Sequence, residues 1–160
     1  MTRLYVAVVG SGGELTTVQR QRAEDVGRAV AEAGAVLVCG GLGGVMEAAC
    51  RGAQGGGGLT VGILPGFDRD EANAHVDIAI PTGMGEARNA LVVRAADAVV
   101  AVAGEYGTLS EIALALHAGI PVVGLGTWEL VREGAPVDAI VRAETPAEAV
   151  ESALRLARLL

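Results

Sequence analysis

The stretch Ala98-Val99-Val100-Ala101-Val102-Ala103-Gly104-Glu105-Tyr106-Gly107-Thr108-Leu109-Ser110-Glu111 decides the fold. A continuous apolar run ends in a short glycine-containing turn, and a threonine then opens a helix. That order reads as a buried strand, a tight loop and a helix N-terminus. Unpaired backbone N–H groups and the positive end of the helix dipole point out of such a turn, which suits it to hold phosphate. Glu111, three residues after Thr108, has two readings. It is the acid of a capping box reaching back to the Thr108 backbone, or a carboxylate standing over a bound ligand.

The same pattern repeats on either side. Residues 4–9 read as a first strand, followed by Gly10-Ser11-Gly12-Gly13. Residues 17–33 have helical spacing, with Val18, Ala23, Val26, Ala29 and Val30 on one side and Gly34 as a stop. Residues 35–39 form a second buried strand, which runs into Gly40-Gly41-Leu42-Gly43-Gly44 and a helix over 45–53. A third strand covers 59–64 and closes at Pro65-Gly66. Residues 68–77, with Asp68, Asp70 and Glu71, read as a solvated acidic loop. A short strand spans 78–81, a helix 85–96, the most apolar strand 98–103 and its helix 108–118. Another strand covers 120–125 and a short edge strand 139–142. Thr145-Pro146 caps and opens a last helix, with Pro at the first helical position.

Strands that alternate with helices, each strand a near-continuous apolar run, predict an α/β fold. The expected architecture is a doubly wound, Rossmann-like parallel sheet of six to seven strands with helices on both faces. Residues 1–160 are expected to form one domain. Ligands bind such sheets beyond the strand carboxyl ends, where the strand order switches. The glycine-rich turns after Val9, Cys39 and Ala103 all fall at strand carboxyl ends, so they are expected to converge on one crevice.

Composition excludes several chemistries. All twelve basic residues are Arg and none is Lys. A P-loop needs its Gly-Lys-Ser/Thr, so Walker-type NTPases are excluded, and a pyridoxal-phosphate enzyme needs a Schiff-base Lys. A formal net charge of −7 supplies no basic surplus for a nucleic-acid backbone. No apolar run approaches membrane-spanning length, and the first residues lack a signal-peptide layout, so a cytoplasmic protein is expected. The dinucleotide fingerprint fails: Leu15 stands where its third Gly belongs, and Cys39-Gly40 where a ribose-binding acid belongs. Cys39 and Cys50 fit no metal pattern and read as small apolar fillers. No His and acid pair has metal-ligand spacing, and neither a metal nor a resident cofactor is expected. His117 suits a helix C-terminus. Tyr106 and Trp128 read either as stacking platforms for a base or as fillers of surface notches.

Three motifs in order, Gly40-Gly41-Leu42-Gly43-Gly44-Val45-Met46-Glu47-Ala48-Ala49, Gly85-Glu86-Ala87-Arg88-Asn89 and Gly104-Glu105-Tyr106-Gly107-Thr108-Leu109-Ser110-Glu111, resemble one superfamily. It is the Lonely-Guy-type Rossmann proteins, often labelled lysine decarboxylases. The group includes phosphoribohydrolases, nucleoside 5′-monophosphate N-glycosidases and molybdenum-cofactor carrier proteins. Its hydrolases carry Pro-Gly-Gly-x-Gly-Thr-x-x-Glu; Gly104, Gly107, Thr108 and Glu111 match, while Ala103 and Glu105 replace the Pro and the second Gly. They also carry Met-His-x-Arg-Lys; Arg88 matches, while Gly85, Glu86 and Asn89 replace the Met, His and Lys. This version looks closer to the carrier branch.

The resemblance implies a catalytic pair, Arg88 and Glu111. It also implies a ligand site of Gly10, Ser11, Gly12, Gly41, Gly43, Gly44, Arg88, Asn89, Gly104, Glu105, Tyr106, Gly107 and Thr108. In a hydrolase, Glu111 would stabilise the oxocarbenium-like transition state, Arg88 would fix the phosphate or orient Glu111, and the N–H groups of 104–108 would hold the 5′-phosphate. Glu105 opposes this reading: its charge repels phosphate, and a Glu resists the positive φ that Gly allows. Two functions therefore stand. The first is a nucleoside 5′-monophosphate N-glycosidase releasing base and ribose 5-phosphate, the slightly favoured reading. The second is a non-catalytic carrier or sensor of a phosphorylated ligand such as molybdenum cofactor or a nucleotide. A homodimer or homotetramer is expected from the resemblance and the apolar composition.

Overall fold

Successive side chains of a strand point to opposite faces, and β1 (Tyr5–Gly10) uses this to feed two cores. Val6 and Val8 join one apolar cluster, Ala7 and Val9 the other. The computed structural model describes residues 2–160. After β1 come α1 (Thr17–Glu32), β2 (Val36–Cys39), α2 (Val45–Gly55), β3 (Thr60–Leu64), β4 (Ile78–Pro81) and α3 (Asn89–Arg94). There follow β5 (Ala98–Val102), α4 (Tyr106–His117), β6 (Val122–Leu125), β7 (Leu130–Arg132), β8 (Ala135–Val137), β9 (Ile140–Arg142) and α5 (Pro146–Ala157).

Seven strands form one parallel sheet in the order β4-β3-β2-β1-β5-β6-β9. Side chains of α1, α2 and α5 cover one face, and those of α3 and α4 the other. This is the doubly wound α/β sheet that the sequence predicts. β5 sits near its middle and is buried along its whole length. The chain moves outward from β1 to β4, then returns to β5 on the other side of β1. The order therefore switches between β1 and β5, and the loops after these two strands diverge over a crevice.

Local signals explain most boundaries. Thr16 caps α1, accepting from the Gln19 N–H, while the Gln19 side chain reaches back to the Thr16 N–H. Thr145 caps α5 with Pro146 in its first turn. Three expectations need correction. The helix expected over 85–96 is broken: a 3-10 turn spans Gly85–Arg88 before α3 begins. The helix expected from Thr108 begins at Tyr106, with extended Glu105 at its cap. The β7–β8 hairpin lies outside the sheet and was not anticipated. Its strands are only three residues each, too short for a clear alternation.

Candidate functional site

Two glycines let the loops above the switch point meet. A Cβ on Gly10 would stand 2.5 Å from the Val102 carbonyl oxygen and 2.7 Å from Val45. The chain therefore leaves β1 between β5 and α2 only because this residue has no side chain. Gly44 has φ +64°, and a Cβ there would lie 2.1 Å from the Ser11 carbonyl oxygen. That oxygen accepts the Val45 N–H at 2.8 Å.

The N-terminus of α2 is thus committed to the first loop. Gly41 packs against Leu64, and Gly43 lies near the Gly12 carbonyl. None of Gly41, Gly43 and Gly44 lines the cavity described next; they brace the loops, and Leu42 and Met46 reach it from this segment instead.

The cavity has a volume of about 780 Å³. It brings together Gly10, Ser11 and Gly12 after β1, residues 86–90 before and within α3, and Glu105, Tyr106, Gly107, Thr108, Ser110 and Glu111 around the start of α4. Arg88 and Glu111 both face it. Gly104 lies beside it, in an adjoining groove shared with Ser11 and Glu105. Glu86, Ala87 and Ser110 lie inside the motifs but were not expected to touch a ligand, and Pro65, Ala90 and Leu114 lie outside them. They reach the cavity through loop geometry and helical spacing, and Leu114 follows Glu111 by three positions.

Arg88 is only 8% exposed. Its Nε donates to the Ile63 carbonyl at 2.9 Å and a terminal nitrogen to the Gly40 carbonyl at 3.4 Å. Its other terminal nitrogen donates to Asn89 Oδ1. The guanidinium therefore ties the carboxyl ends of β2 and β3 to the start of α3. This inward pull holds the tight turn where an unbroken helix was expected. Asn89 Nδ2 in turn donates to Ser110 Oγ at 3.2 Å, and Ser110 Oγ to the Gly107 carbonyl at 2.7 Å. This chain of bonds fixes the first turn of α4 relative to Arg88.

The early start of α4 changes the role of Glu111. Thr108 is the third helical residue and is buried, so it is no cap and the capping-box reading fails. Glu111 is 7% exposed, and among the described residues it forms no salt bridge with Arg88. Burial disfavours its charged form, and Arg88 only partly offsets this, so its pKa rises from 4.5 to about 7.

No side chain caps α4. The N–H groups of its first turn are therefore the donors open to an anion. Glu86, Glu105 and Glu111 surround a single Arg, so an anion here depends on those N–H groups more than on net charge.

Glu105 takes φ −105° and ψ −159°, ordinary extended backbone. The strain expected at this residue falls instead on Ala103, with φ +51°. Proline fixes φ near −65°, so a loop with Pro at 103 cannot follow this path. The Ala103 N–H also donates to the Leu125 carbonyl at 3.3 Å.

Cys39 and Cys50 sit in the core with their sulfurs 3.5 Å apart. Among the described residues no group of three His, Cys, Asp or Glu side chains could hold a metal, and no helix is long and apolar enough to cross a membrane.

Comparison with known proteins agrees with this architecture. An uncharacterized protein of Archaeoglobus fulgidus is 46% identical over 150 residues, which cover 94% of each chain. The molybdenum cofactor binding protein of the phototrophic bacterium Rippkaea orientalis is 35% identical, with a TM-score of 0.87 over 98% of both chains. A Moco carrier protein of Chlamydomonas reinhardtii is 34% identical, with a TM-score of 0.85 over 99% of this chain and 100% of that one. The SLOG cluster4 family model matches residues 3–150, and the chain belongs to that family.

Proposed function

We propose that this protein is a non-catalytic carrier of a phosphorylated pterin of the molybdenum-cofactor type, held in the Arg88–Glu111 cavity. The observation that carries this reading is the loop over residues 103–108. Where the hydrolases place Pro, this chain has Ala103 at φ +51°, so the loop follows a path that a Pro-Gly-Gly sequence cannot. Two further features support it. Arg88 spends three donors on protein acceptors, and the structural relatives include a cofactor-binding and a carrier protein. The ligand phosphate would rest on the first-turn N–H groups of α4. We expect the carrier to work in the cytoplasm, as a homodimer or homotetramer.

The test is co-elution. Cofactor released from a molybdoenzyme should leave gel filtration with this protein, at about one molybdenum per chain, and should survive longer than free cofactor. Elution of molybdenum only at low mass would overturn the carrier reading.

One observation keeps the N-glycosidase as a second reading. A buried carboxylate with a pKa of about 7 beside an Arg is poised for proton transfer at neutral pH. If that reading holds, a panel of nucleoside monophosphates yields free base, and Glu111→Gln slows release about a hundredfold or more while ligand still binds. Wild-type protein that releases no base removes it.

A further inference from the structure

Two of the four aromatic residues of this chain meet at the edge of the cavity. Tyr106 opens α4 and Trp128 follows β6; their ring centroids are 5.8 Å apart and their planes tilted by 38°. Trp128 is held from several directions. It packs against the core beneath α3 and α4. Its indole N–H donates to the Glu105 carbonyl at 3.2 Å. Its neighbour Thr127 donates through Oγ1 to the Ala103 carbonyl. The loop that opens α4 therefore also fixes Trp128, and a ring fixed in this way loses little freedom when a ligand meets it.

Trp128 lines a cavity of about 230 Å³ beside β9 on one side and, on the side of the site, a groove of about 440 Å³ with Ser11, Glu14, Gln19, Gly104 and Glu105. Ser11 and Glu105 also line the Arg88–Glu111 cavity, so the two spaces adjoin. Their chemistry differs. The groove lining has two carboxylates and no basic residue, and the one guanidinium nearby, that of Arg22, lies at its rim beside Gly126. The groove is hostile to phosphate and suited to a neutral ring that offers N–H donors. The cavity next to it has the Arg and the open N–H groups of α4.

We propose that the groove beside Trp128 is a ring subsite, which takes the flat, amino-bearing heteroaromatic ring of a ligand whose phosphate lies in the adjoining cavity. The proposal rests on the reading that the cavity takes the anionic end. Glu105 is then the partition between the two subsites. Its carbonyl orients Trp128, it lines both spaces, and towards the groove its carboxylate can accept hydrogen bonds from ring amino groups.

Trp128 is the only tryptophan, so its emission reports on the groove directly. Three probes separate the parts: 5′-GMP has ring and phosphate, 6-hydroxymethylpterin the ring alone, and ribose 5-phosphate the phosphate alone. Affinities are measured by calorimetry and emission by titration.

The expected result is quenching by the two ring probes, none by ribose 5-phosphate, and GMP bound roughly tenfold more tightly than ribose 5-phosphate, as aromatic stacking of a base contributes. Trp128→Leu should remove that advantage, so that the two phosphates bind alike. If this variant does not fold, the wild-type comparison decides alone.

GMP and ribose 5-phosphate binding equally, with emission unmoved, overturns the ring subsite and leaves the phosphate cavity standing. Quenching by the pterin, with GMP no better and ribose 5-phosphate unbound, keeps the subsite and overturns the phosphate reading. No binding by any probe overturns both.

Discussion

At the scale of single residues, Glu111 has the clearest physical consequence. Its pKa is higher folded than unfolded, so the native state holds its proton more tightly between pH 4.5 and about 7. By linkage, its favourable contribution is fully present below about pH 4.5 and is lost as pH rises through about 7. At about 1.36 kcal/mol per pH unit, the charged carboxylate costs roughly 3 kcal/mol at alkaline pH.

Glu111→Gln keeps the shape without the charge. It should therefore raise the melting temperature at pH 8.5 and change it little at pH 5. An equal effect at both pH values would show that burial of the charge is not the cause. The same charge opposes anions: sulfate, which does not titrate here, should bind several-fold more weakly at pH 8.5 than at pH 6, on the order expected for a nearby charge in a partly buried site.

Ala103→Pro, which restores the hydrolase residue, should destabilise the fold by about 2–3 kcal/mol. It demands the wrong φ and removes the donor to Leu125. Unchanged denaturation midpoints would contradict the observed loop path.

At the scale of elements, α1 and α2 approach each other backbone to backbone. A Cβ on Gly27 would lie 1.8 Å from the Ala49 carbonyl oxygen, and one on Gly52 1.9 Å from that of Glu24. Flexible side chains can yield to such crowding, but main-chain oxygens cannot without moving a helix. Gly27→Ala should cost about 2–3 kcal/mol by forcing the helices apart. Gly55→Ala, at the end of α2 with open space around it, should be neutral or stabilising by about 0.5 kcal/mol. Urea denaturation of both variants separates close packing from helix propensity. The start of α4 is set at the same scale. Gly104, at φ +111°, and extended Glu105 turn the chain so that the helix begins at Tyr106.

At the scale of the whole molecule, one sheet face is incompletely covered. Ile78 and Ile80 pair in register with Val61 and Ile63, which belong to the α3–α4 core. They therefore point to that face, yet are 46% and 45% exposed. Phe67 nearby in sequence is 89% exposed. If the chain forms the expected homo-oligomer, apolar surface of this kind is where its copies would meet. Light scattering should give a dimer or tetramer at tens of micromolar, and Ile80→Glu should shift it towards monomer. A wild-type monomer would refute the expectation.

The parallel α/β sheet is legible from residue order alone, because strands buried on both faces must be continuous apolar runs, and β1, β2 and β5 are. The glycine-rich turns after β1, β2 and β5 are legible as strand carboxyl ends, because each apolar run stops at them, but the strand order that brings the turns after β1 and β5 together comes from the fold. The start of α5 is legible too, because the Thr145 cap acts within one turn; the Thr16 cap of α1 is seen only in the structure. Which glycines face the cavity depends on contacts distant in sequence. Gly41, Gly43 and Gly44 have the composition of a phosphate loop, but contacts with Ser11, Gly12 and Leu64 give them another task. The state of Glu111 is likewise set by the fold, because its pKa depends on burial and on an Arg distant in sequence. Trp128 is the same case: a single aromatic has no pattern to read, and its place depends on carbonyls and a ring that the fold brings to it.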